Sequence, residues 1–448
     1  MLFNFFVLSL ASAVAAPAST DQPIGAHHSQ EHLRPRSAPD YPVTPPLRSK
    51  GEHIATVYGY VYGGSSSSSY VDFDSVTHVA WHAFNMDSSG NISDSAGWSS
   101  YGGTFVNNAH AVGTNVHISL MPTSTSNMST VLASASRRAT AVSQLAAYVN
   151  MHNADGVSLD FESLPSSVKA EYVLFTQEVA AVVDEVVVAV PLVDWNGAYD
   201  FDELAWASNG LFIMGYDAHG QSSSPGPTSP LNDGGIWPFW SLTWSLNDYR
   251  TWGAPDDKII MGLPLFGNSW YVSSDEVAIN EPSTATAQKW STCRDFFLFE
   301  YTNRYEPYSE TPWVWTGERQ AWCDDIDSIE LKIQWALDEG LQGIGFWELS
   351  YASGDQDLWS MVDDLTMEFS TDPVDTGGTS TTGDSGYSGD SGDSGDSSVI
   401  DTGSTQNLDT ALGNESKGGC GCASKNGEGL GLFWLSGLLG LVLRRRNC

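Results

Sequence analysis

Short apolar runs rich in β-branched residues alternate with longer segments of helical period through the middle of the chain. The runs with the length of buried strands lie at residues 54–60, 78–84, 115–120, 156–161, 186–190, 211–216, 259–263 and 344–347. Between them, residues 137–150, 168–183 and 326–339 carry apolar side chains on one helical face. This alternation predicts an α/β fold, a closed (β/α)8 TIM barrel over residues 51–370. A doubly wound open sheet is the competitor, but Gly63-Gly64 lacks the spacing of its phosphate-binding loop.

The fourth predicted strand carries two carboxylates close to its end. Residues 155–162 read Asp-Gly-Val-Ser-Leu-Asp-Phe-Glu. Because side chains alternate along a strand, Ser158, Asp160 and Glu162 share one face and the apolar residues between them share the other. In a barrel the polar set then points inward, toward the C-terminal rim. Two acids on one partly desolvated face repel each other, so one of them is expected to hold its proton at neutral pH, as a general acid must.

Charge excludes some partners. The chain has 54 Asp and Glu against 19 Lys and Arg, a formal net charge of -35, while 41% of its residues are hydrophobic. The hydrophobic content suffices for a sizeable core. The negative charge repels phosphate backbones and anionic lipid, so we expect no nucleic-acid partner and no membrane contact outside the C-terminal tail. We also expect a monomer.

The two ends of the chain read as segments outside the fold. Residues 1–16 are nearly continuously apolar and close on small residues, which predicts a signal peptide, with a buried amphipathic helix as the alternative. Residues 17–50 are rich in Pro, Ser and His and predict a flexible leader. Residues 371–418 repeat Asp-Ser-Gly and predict an acidic linker with nothing to bury.

An aromatic-rich interval, roughly residues 267–343, separates the seventh and eighth predicted strands. It holds one helical segment, and we interpret the rest as a small irregular insertion over the barrel mouth, between strand 7 and the last helix. Cys293 and Cys323 lie in it, and in an exported protein two such cysteines most simply form one disulfide.

Four segments, in chain order, resemble elements of family-18 glycoside hydrolases. Residues 155–162 resemble the signature Asp-Gly-x-x-x-Asp-x-Glu, and residues 214–217 resemble the sixth-strand Met-x-Tyr-Asp. Residues 262–267 resemble the seventh-strand Gly-x-Pro-x-Tyr-Gly, and residues 343–347 the eighth-strand element that ends in tryptophan. The resemblance covers the whole predicted barrel. It implies a glycosidase in which the substrate's own 2-acetamido group is the nucleophile.

This resemblance implies a role for each matching residue. Glu162 is expected to protonate the leaving oxygen and later to activate water. Asp160 would orient the 2-acetamido group and stabilise the oxazolinium intermediate, and Tyr216 would hydrogen-bond the acetamido carbonyl. Neither a metal nor an organic cofactor follows from the motif.

A second set of residues is expected to bind the sugar. These predicted substrate-binding residues are Met214, Asp217, Trp347, Trp270, Trp81 and Ser158. The first three follow from the resemblance, with Trp347 stacking on the sugar ring. Trp270 and Trp81 are predicted from their positions near strand ends, with core packing as the alternative for each. Ser158 stands where most chitinases of the family have a third aspartate. A non-aspartate there is common in the branch of di-N-acetylchitobiase and the spore-cortex hydrolases, which this chain resembles.

Residues 419–448 combine Cys420 and Cys422 with an apolar run and three arginines. The run is shorter than the ~20 residues of a spanning helix, and the arginines favour the cytoplasmic side. The arrangement resembles the C-terminal sorting signal of myxobacterial surface proteins, which implies processing near Cys420 or Cys422 and retention at the cell surface. A simple membrane anchor is the alternative.

The leading functional hypothesis is an exported or surface-attached hydrolase of β-1,4 bonds in N-acetylglucosamine-containing polysaccharide. Its substrate would be chitin oligosaccharides or peptidoglycan, cleaved with retention. Two alternatives stay open: a catalytically inactive, lectin-like glycan-binding protein, and an endo-β-N-acetylglucosaminidase acting on protein-linked glycans. The presence of Glu162 beside Asp160 and Tyr216 favours an enzyme.

Overall fold

The computed structural model describes residues 43–47, 51, 53–220, 223–298 and 302–368. The predicted signal peptide, most of the leader, the acidic linker and the sorting tail with Cys420 and Cys422 lie outside these residues. Within the part of the chain that is described, no helix combines the length and apolarity needed to cross a membrane.

Fourteen strands are present in the described residues. They are β1 Thr56–Tyr62, β2 His78–Met86, β3 Ile92–Asp94, β4 Asn115–Leu120, β5 Gly156–Leu159, β6 Glu185–Pro191, β7 Gly210–Met214, β8 Ile259–Pro264, β9 Phe266–Tyr271, β10 Thr286–Lys289, β11 Thr302–Glu306, β12 Thr311–Trp315, β13 Arg319–Trp322 and β14 Gly343–Trp347. Eight of them form a parallel ring in the order β1-β14-β8-β7-β6-β5-β4-β2, which closes because β2 also pairs with β1. The predicted (β/α)8 barrel is therefore confirmed, with β3 added antiparallel to β2.

Helices follow most of the barrel strands. They are α1 Trp98–His110, α2 Thr125–Leu132, α3 Ala135–His152, α4 Lys169–Ala180, α5 Phe201–Ala207, α6 Leu242–Thr251, α7 Trp290–Leu298, α8 Ile326–Asp338 and α9 Gln356–Thr366. Local sequence fixes several helix ends. The Asp325 carboxylate accepts from the N–H of Ser328, whose hydroxyl accepts from the N–H of Asp325, a reciprocal cap that starts α8. Asn153 adopts a left-handed conformation and stops α3.

Alternation along each strand separates two cores. Outward residues such as Val79 and Leu159 pack with the helices in one large apolar cluster. Inward residues such as Tyr58, Tyr60 and Phe212 fill the barrel lumen. Glycines on neighbouring strands make room for Phe212. A Cβ atom at Gly262 or Gly345 would approach its ring to 2.5 Å.

The interval after β8 is a folded insertion and not the irregular segment that we expected. Strands β9 to β13 form an antiparallel sheet in the order β10-β9-β13-β12-β11. Its buried tryptophans pack together, with the rings of Trp313 and Trp322 stacked at 4.9 Å. The predicted disulfide is present: Cys293 on α7 is bonded to Cys323, with the two Cα atoms 5.8 Å apart.

Residues 43–47 correct the predicted extent of the flexible leader, because they pack against the barrel. The N–H of Thr44 donates to the carbonyl of Trp206, and the N–H of Leu47 donates to that of Asn209. The Leu47 side chain is buried with the lumen residues. The Lys258 ammonium donates to the carbonyl of Thr44. The fold therefore begins before residue 51.

Candidate active site

The two predicted carboxylates lie just beyond β5, at the C-terminal end of the barrel. The strand stops at Leu159, two residues earlier than predicted, because the chain turns after Phe161. Two hydrogen bonds hold the turn. The N–H of Asp160 donates to the carbonyl of Leu120 at 2.9 Å, and the Tyr199 hydroxyl donates to the carbonyl of Phe161 at 2.6 Å. The segment carrying the carboxylates is therefore anchored on one side by β4 and on the other by the loop between β6 and α5.

Asp160 is 3% exposed and lacks a hydrogen-bond partner on Oδ1. Its other oxygen lies 3.9 Å from Nδ1 of His82. Burial and the nearby Glu162 charge raise the pKa of Asp160 well above its usual range. Burial lowers the pKa of His82 to about 3, so this imidazole is neutral and supplies no compensating charge. Asp160 is thus a buried carboxyl with spare capacity to hydrogen-bond a ligand.

Glu162 is partly exposed, and Asp217 beside it is open to solvent. Burial, and then the Asp217 charge, raises the pKa of Glu162. Desolvation of its carboxyl by the protein around it raises the pKa of Asp217 to about 6. Desolvation, together with repulsion of Asp160 by Glu162 and of Glu162 by Asp217, therefore favours the protonated form of these carboxyls at the rim.

Tyr216 and Met214 come from the turn that ends β7. The N–H of Gly215 donates to the carbonyl of Gly262 on β8 at 3.0 Å, and the Ser229 hydroxyl donates to the carbonyl of Gly215 at 2.6 Å. Tyr216 is buried among the lumen residues, and burial followed by the Asp160 charge raises the pKa of its hydroxyl. It therefore stays protonated and can donate a hydrogen bond. Met214 is half-buried against the same cluster.

Trp347 provides a half-buried aromatic surface at the end of β14. Its ring lies 5.5 Å from that of Tyr60, 5.7 Å from that of Tyr62 and 4.9 Å from that of His82. The structure therefore places Trp347 beside two tyrosines of β1 and beside His82 of β2, the histidine that also faces Asp160. This flat apolar ring is suited to packing against the C–H face of a sugar.

Three residues that were predicted to contact the sugar are buried away from the cleft beside Trp347. The prediction for Trp81 is wrong because it is the outward residue of β2 and is buried against Trp98 and Phe105 under α1. The prediction for Trp270 is wrong because it lies in the buried core of the insertion. Ser158 does point inward, but it is fully buried and its Oγ lies 2.8 Å from the Tyr60 hydroxyl. It contacts the lumen and not the cleft.

Residues outside the predicted substrate-binding set also lie at this face. His82, next to Trp81 near the end of β2, is the inward residue of that strand, as alternation from His78 indicates. The loops after β6 and β7 carry an exposed Trp195 packed against Trp240 at 5.3 Å. No periodicity marks loop residues, so no sequence signal identified these two.

Sequence and structure similarities agree with this geometry. The profile of glycosyl hydrolases family 18 matches residues 56–352. The chain is 25% identical over 237 residues to the putative sporulation-specific glycosylase YdhD of Bacillus subtilis, covering 49% of this chain and 53% of that protein. It is 25% identical over 259 residues to probable chitinase 2 of Drosophila melanogaster, covering 50% and 52% respectively. The chain thus spans about half the length of these curated relatives.

A solved structure with the same fold is the GH18 chitinase from Cycas revoluta in complex with (GlcNAc)3. It superposes with a TM-score of 0.62 at 19% identity, covering 69% of this chain and 99% of that one.

Proposed function

Because the chain belongs to glycosyl hydrolases family 18, we propose that it hydrolyses β-1,4 bonds after N-acetylglucosamine with retention of configuration. The observation that carries this proposal is the pair Asp160 and Glu162. These two carboxyls lie on one turn at the barrel rim, and the pKa of each is raised. The buried phenol of Tyr216 lies in the electrostatic field of both. The chitinase names among the relatives support the substrate class.

The proposed reaction uses these groups in two stages. Protonated Glu162 donates its proton to the glycosidic oxygen as the 2-acetamido oxygen of the substrate attacks the anomeric carbon. The free Oδ1 of Asp160 accepts the acetamido N–H, and the Tyr216 hydroxyl donates to the acetamido oxygen. Glu162, now ionised, then removes a proton from the water that opens the oxazolinium ring, which regenerates the acid.

Charge favours neutral chitin oligosaccharides over peptidoglycan. The chain has a formal net charge of -35, and Asp160, Glu162 and Asp217 are concentrated at the rim. Peptidoglycan carries carboxylates on its lactyl and peptide groups, and these would be repelled. A chitin oligomer carries no such charge. We therefore propose chitin oligosaccharides as the substrate.

The test uses a chitotriose derivative with a chromogenic leaving group, with peptidoglycan in parallel. The matched variants are E162Q at the rim and E330Q on the exposed face of α8, because both remove one carboxylate. Wild type and E330Q should release the chromophore, and NMR should show the β-anomer as the first product. E162Q should lose ~10³-fold or more in kcat. If wild-type release equals that of E162Q while the oligosaccharide still binds, the protein is a lectin and not an enzyme.

We further propose that the protein works outside the cytoplasm, held at the cell surface. The apolar start, the Cys420 and Cys422 tail and the Cys293–Cys323 disulfide support this location, since disulfides persist in oxidising compartments. Protease treatment of intact cells should remove the protein. Replacing Cys420 and Cys422 with Ser should release it from the surface, and a cytoplasmic fraction that holds all of the protein would contradict the proposal.

A further inference from the structure

A second polar cluster lies at the opposite end of the lumen. It consists of His78, the first residue of β2, His117 near the start of β4, and Glu185, the first residue of β6. The Oε2 atom of Glu185 lies 2.9 Å from Nε2 of His117 and 3.3 Å from Nε2 of His78. One ligand atom from each residue falls within 4.8 Å of the other two. Parallel strands on one side of the barrel, β2, β4 and β6 with β5 between the last two, therefore bring two imidazoles and one carboxylate together at their N-terminal ends.

The hydrogen bonds of Thr77 fix the orientation of His78. The Thr77 hydroxyl donates to the carbonyl of Val57 at 3.0 Å and accepts from the N–H of Val57 at 2.9 Å. Its single proton is therefore used, and it accepts from Nδ1–H of His78 at 2.8 Å. The lone pair of Nε2 then faces Glu185. His78 is 1% exposed, and its Nε2 lies in ion-pair contact with Glu185, 3.3 Å from Oε2.

The other two groups are oriented in the same way. Nδ1 of His117 lies 3.0 Å from the Tyr58 hydroxyl, which leaves its Nε2 facing Glu185. The Asn115 amide donates to both oxygens of the Glu185 carboxylate, at 3.2 and 3.1 Å. Hydrogen bonds to the outer nitrogens of histidines and to the carboxylate are the usual support around a metal centre.

We propose that His78, His117 and Glu185 bind one divalent transition-metal ion of the Zn²⁺ class. Two imidazole nitrogens and a carboxylate oxygen are a known zinc donor set, and the metal–ligand distances of ~2.0–2.2 Å place tetrahedral ligands ~3.3 Å apart. The two separations from Glu185 Oε2, 2.9 and 3.3 Å, are close to this value, and the two imidazole nitrogens lie within 4.8 Å of each other. A cation at this point satisfies the lone pair of His78 and the carboxylate together. A fourth position is left for water.

The position of the site indicates a structural role. Asp160 and Glu162 follow the C-terminal end of β5, whereas the three ligands lie at or near strand N-termini. The lumen between them is filled by Tyr58, Tyr60 and Phe212. The ion would tie together β2, β4 and β6, and the Glu185 side chain, 15% exposed, offers access from solvent. Bound metal should therefore stabilise the fold without entering the reaction.

The test measures Zn²⁺ uptake by the untagged full chain after chelator treatment and dialysis, with metal counted by mass spectrometry. H78Q and E185Q each remove one ligand. H110Q is the matched control, since His110 is half-exposed and pairs with Asp155 outside the cluster. Wild type and H110Q should bind one more equivalent of Zn²⁺ than H78Q and E185Q. All of these proteins keep the histidines at positions 27, 28 and 32, so any Zn²⁺ bound there is the same in each and does not affect the comparison.

Thermal melting and Co²⁺ substitution give two further readouts. Zn²⁺ should raise the Tm of wild type and H110Q but not that of E185Q, because a ligand stabilises only the state that binds it. Co²⁺ should give the visible absorption of a tetrahedral site in wild type alone among wild type, H78Q and E185Q. Should H78Q fail to fold, E185Q decides, since this substitution removes the charge at unchanged side-chain length and keeps an amide oxygen that can accept from Asn115. Equal uptake by wild type and E185Q, or no Zn²⁺-dependent rise in the wild-type Tm, would overturn the proposal.

Discussion

The hydroxyl of Tyr199 is a sensitive point of the candidate site, although it faces no cleft. Tyr199 is buried, and its hydroxyl donates to the carbonyl of Phe161 at 2.6 Å. Phe161 lies between Asp160 and Glu162, in the turn just past the β5 ladder. Replacing Tyr199 with Phe removes one oxygen atom and leaves that carbonyl without its donor. The turn should then relax, and the Glu162 carboxyl should move with it.

The expected size of the effect follows from that single lost hydrogen bond. A buried acceptor left without its donor costs about 1–3 kcal/mol. At ~2.1 cal/mol/K per residue, a body of ~320 residues has an unfolding entropy of ~0.7 kcal/mol/K, so the Tm should fall by ~1.5–4.5 °C. Misplacing a catalytic group by a fraction of an ångström costs about tenfold in rate. We therefore expect Y199F to lower kcat about tenfold and to leave KM within ~2-fold.

Tyr172 provides the matched control. Its hydroxyl is also buried and donates to the carbonyl of Leu159, but at 3.3 Å and within the strand. Y172F should lower the Tm by less and leave kcat within ~2-fold. The assay is the initial rate of chromophore release from the chitotriose derivative, with melting followed by circular dichroism. If Y199F keeps the wild-type kcat, or Y172F loses as much, the turn is not positioned by Tyr199.

The remaining predictions concern charge and aromatic contacts. The Asp217 charge raises the pKa of Glu162, so D217N should lower it and move the basic limb of the pH–kcat profile to lower pH. The two profiles should converge below about pH 6, where Asp217 itself becomes protonated, and a shift to higher pH would contradict this reasoning. W347A should raise KM for the oligosaccharide about 2–10-fold through lost ring packing. W81F should leave KM unchanged but lower the free energy of unfolding by ~1–3 kcal/mol, because Trp81 packs only in the outer core.

The barrel was predictable because its strands are short runs rich in apolar and β-branched residues between segments of helical period, a pattern that needs no tertiary information. The exact ends of the strands were harder to predict than their existence. The first strand was predicted from residue 54, but Ile54 is 56% exposed and β1 starts at Thr56. Alternation placed Ser158 and Asp160 on one face, and Glu162 follows in the turn. Trp81 was predicted from its position near a strand end, which does not tell the inward face from the outward one; the structure places Trp81 in the outer core and His82 beside Trp347.

The cluster of His78, His117 and Glu185 could not be predicted from spacing. Metal motifs are recognised when ligands recur within a few residues, and these three residues come from separate strands. Only the ring order, which places β2 beside β4 and β6 two strands from β4, brings them together. The insertion was misjudged for a related reason. Its strands are short, and some, such as β10, are polar, so they form no apolar run in the sequence. They are held by pairing with one another in one small sheet.

The replacement of a third aspartate by Ser158 changes which groups control the acid. The neutral pair formed by Ser158 and Tyr60 lies in the lumen, so no carboxyl on β5 itself shares a proton with Asp160. The charges that raise the pKa values come from the other side: Glu162 acts on Asp160, and Asp217 acts on Glu162. Besides burial, the pKa of Glu162 is therefore raised by Asp217 in the turn after β7 and not by a carboxyl on β5. A charge change at position 217 should consequently shift the pH profile of this protein more than removal of the Ser158 hydroxyl, which pairs with neutral phenol groups of the lumen.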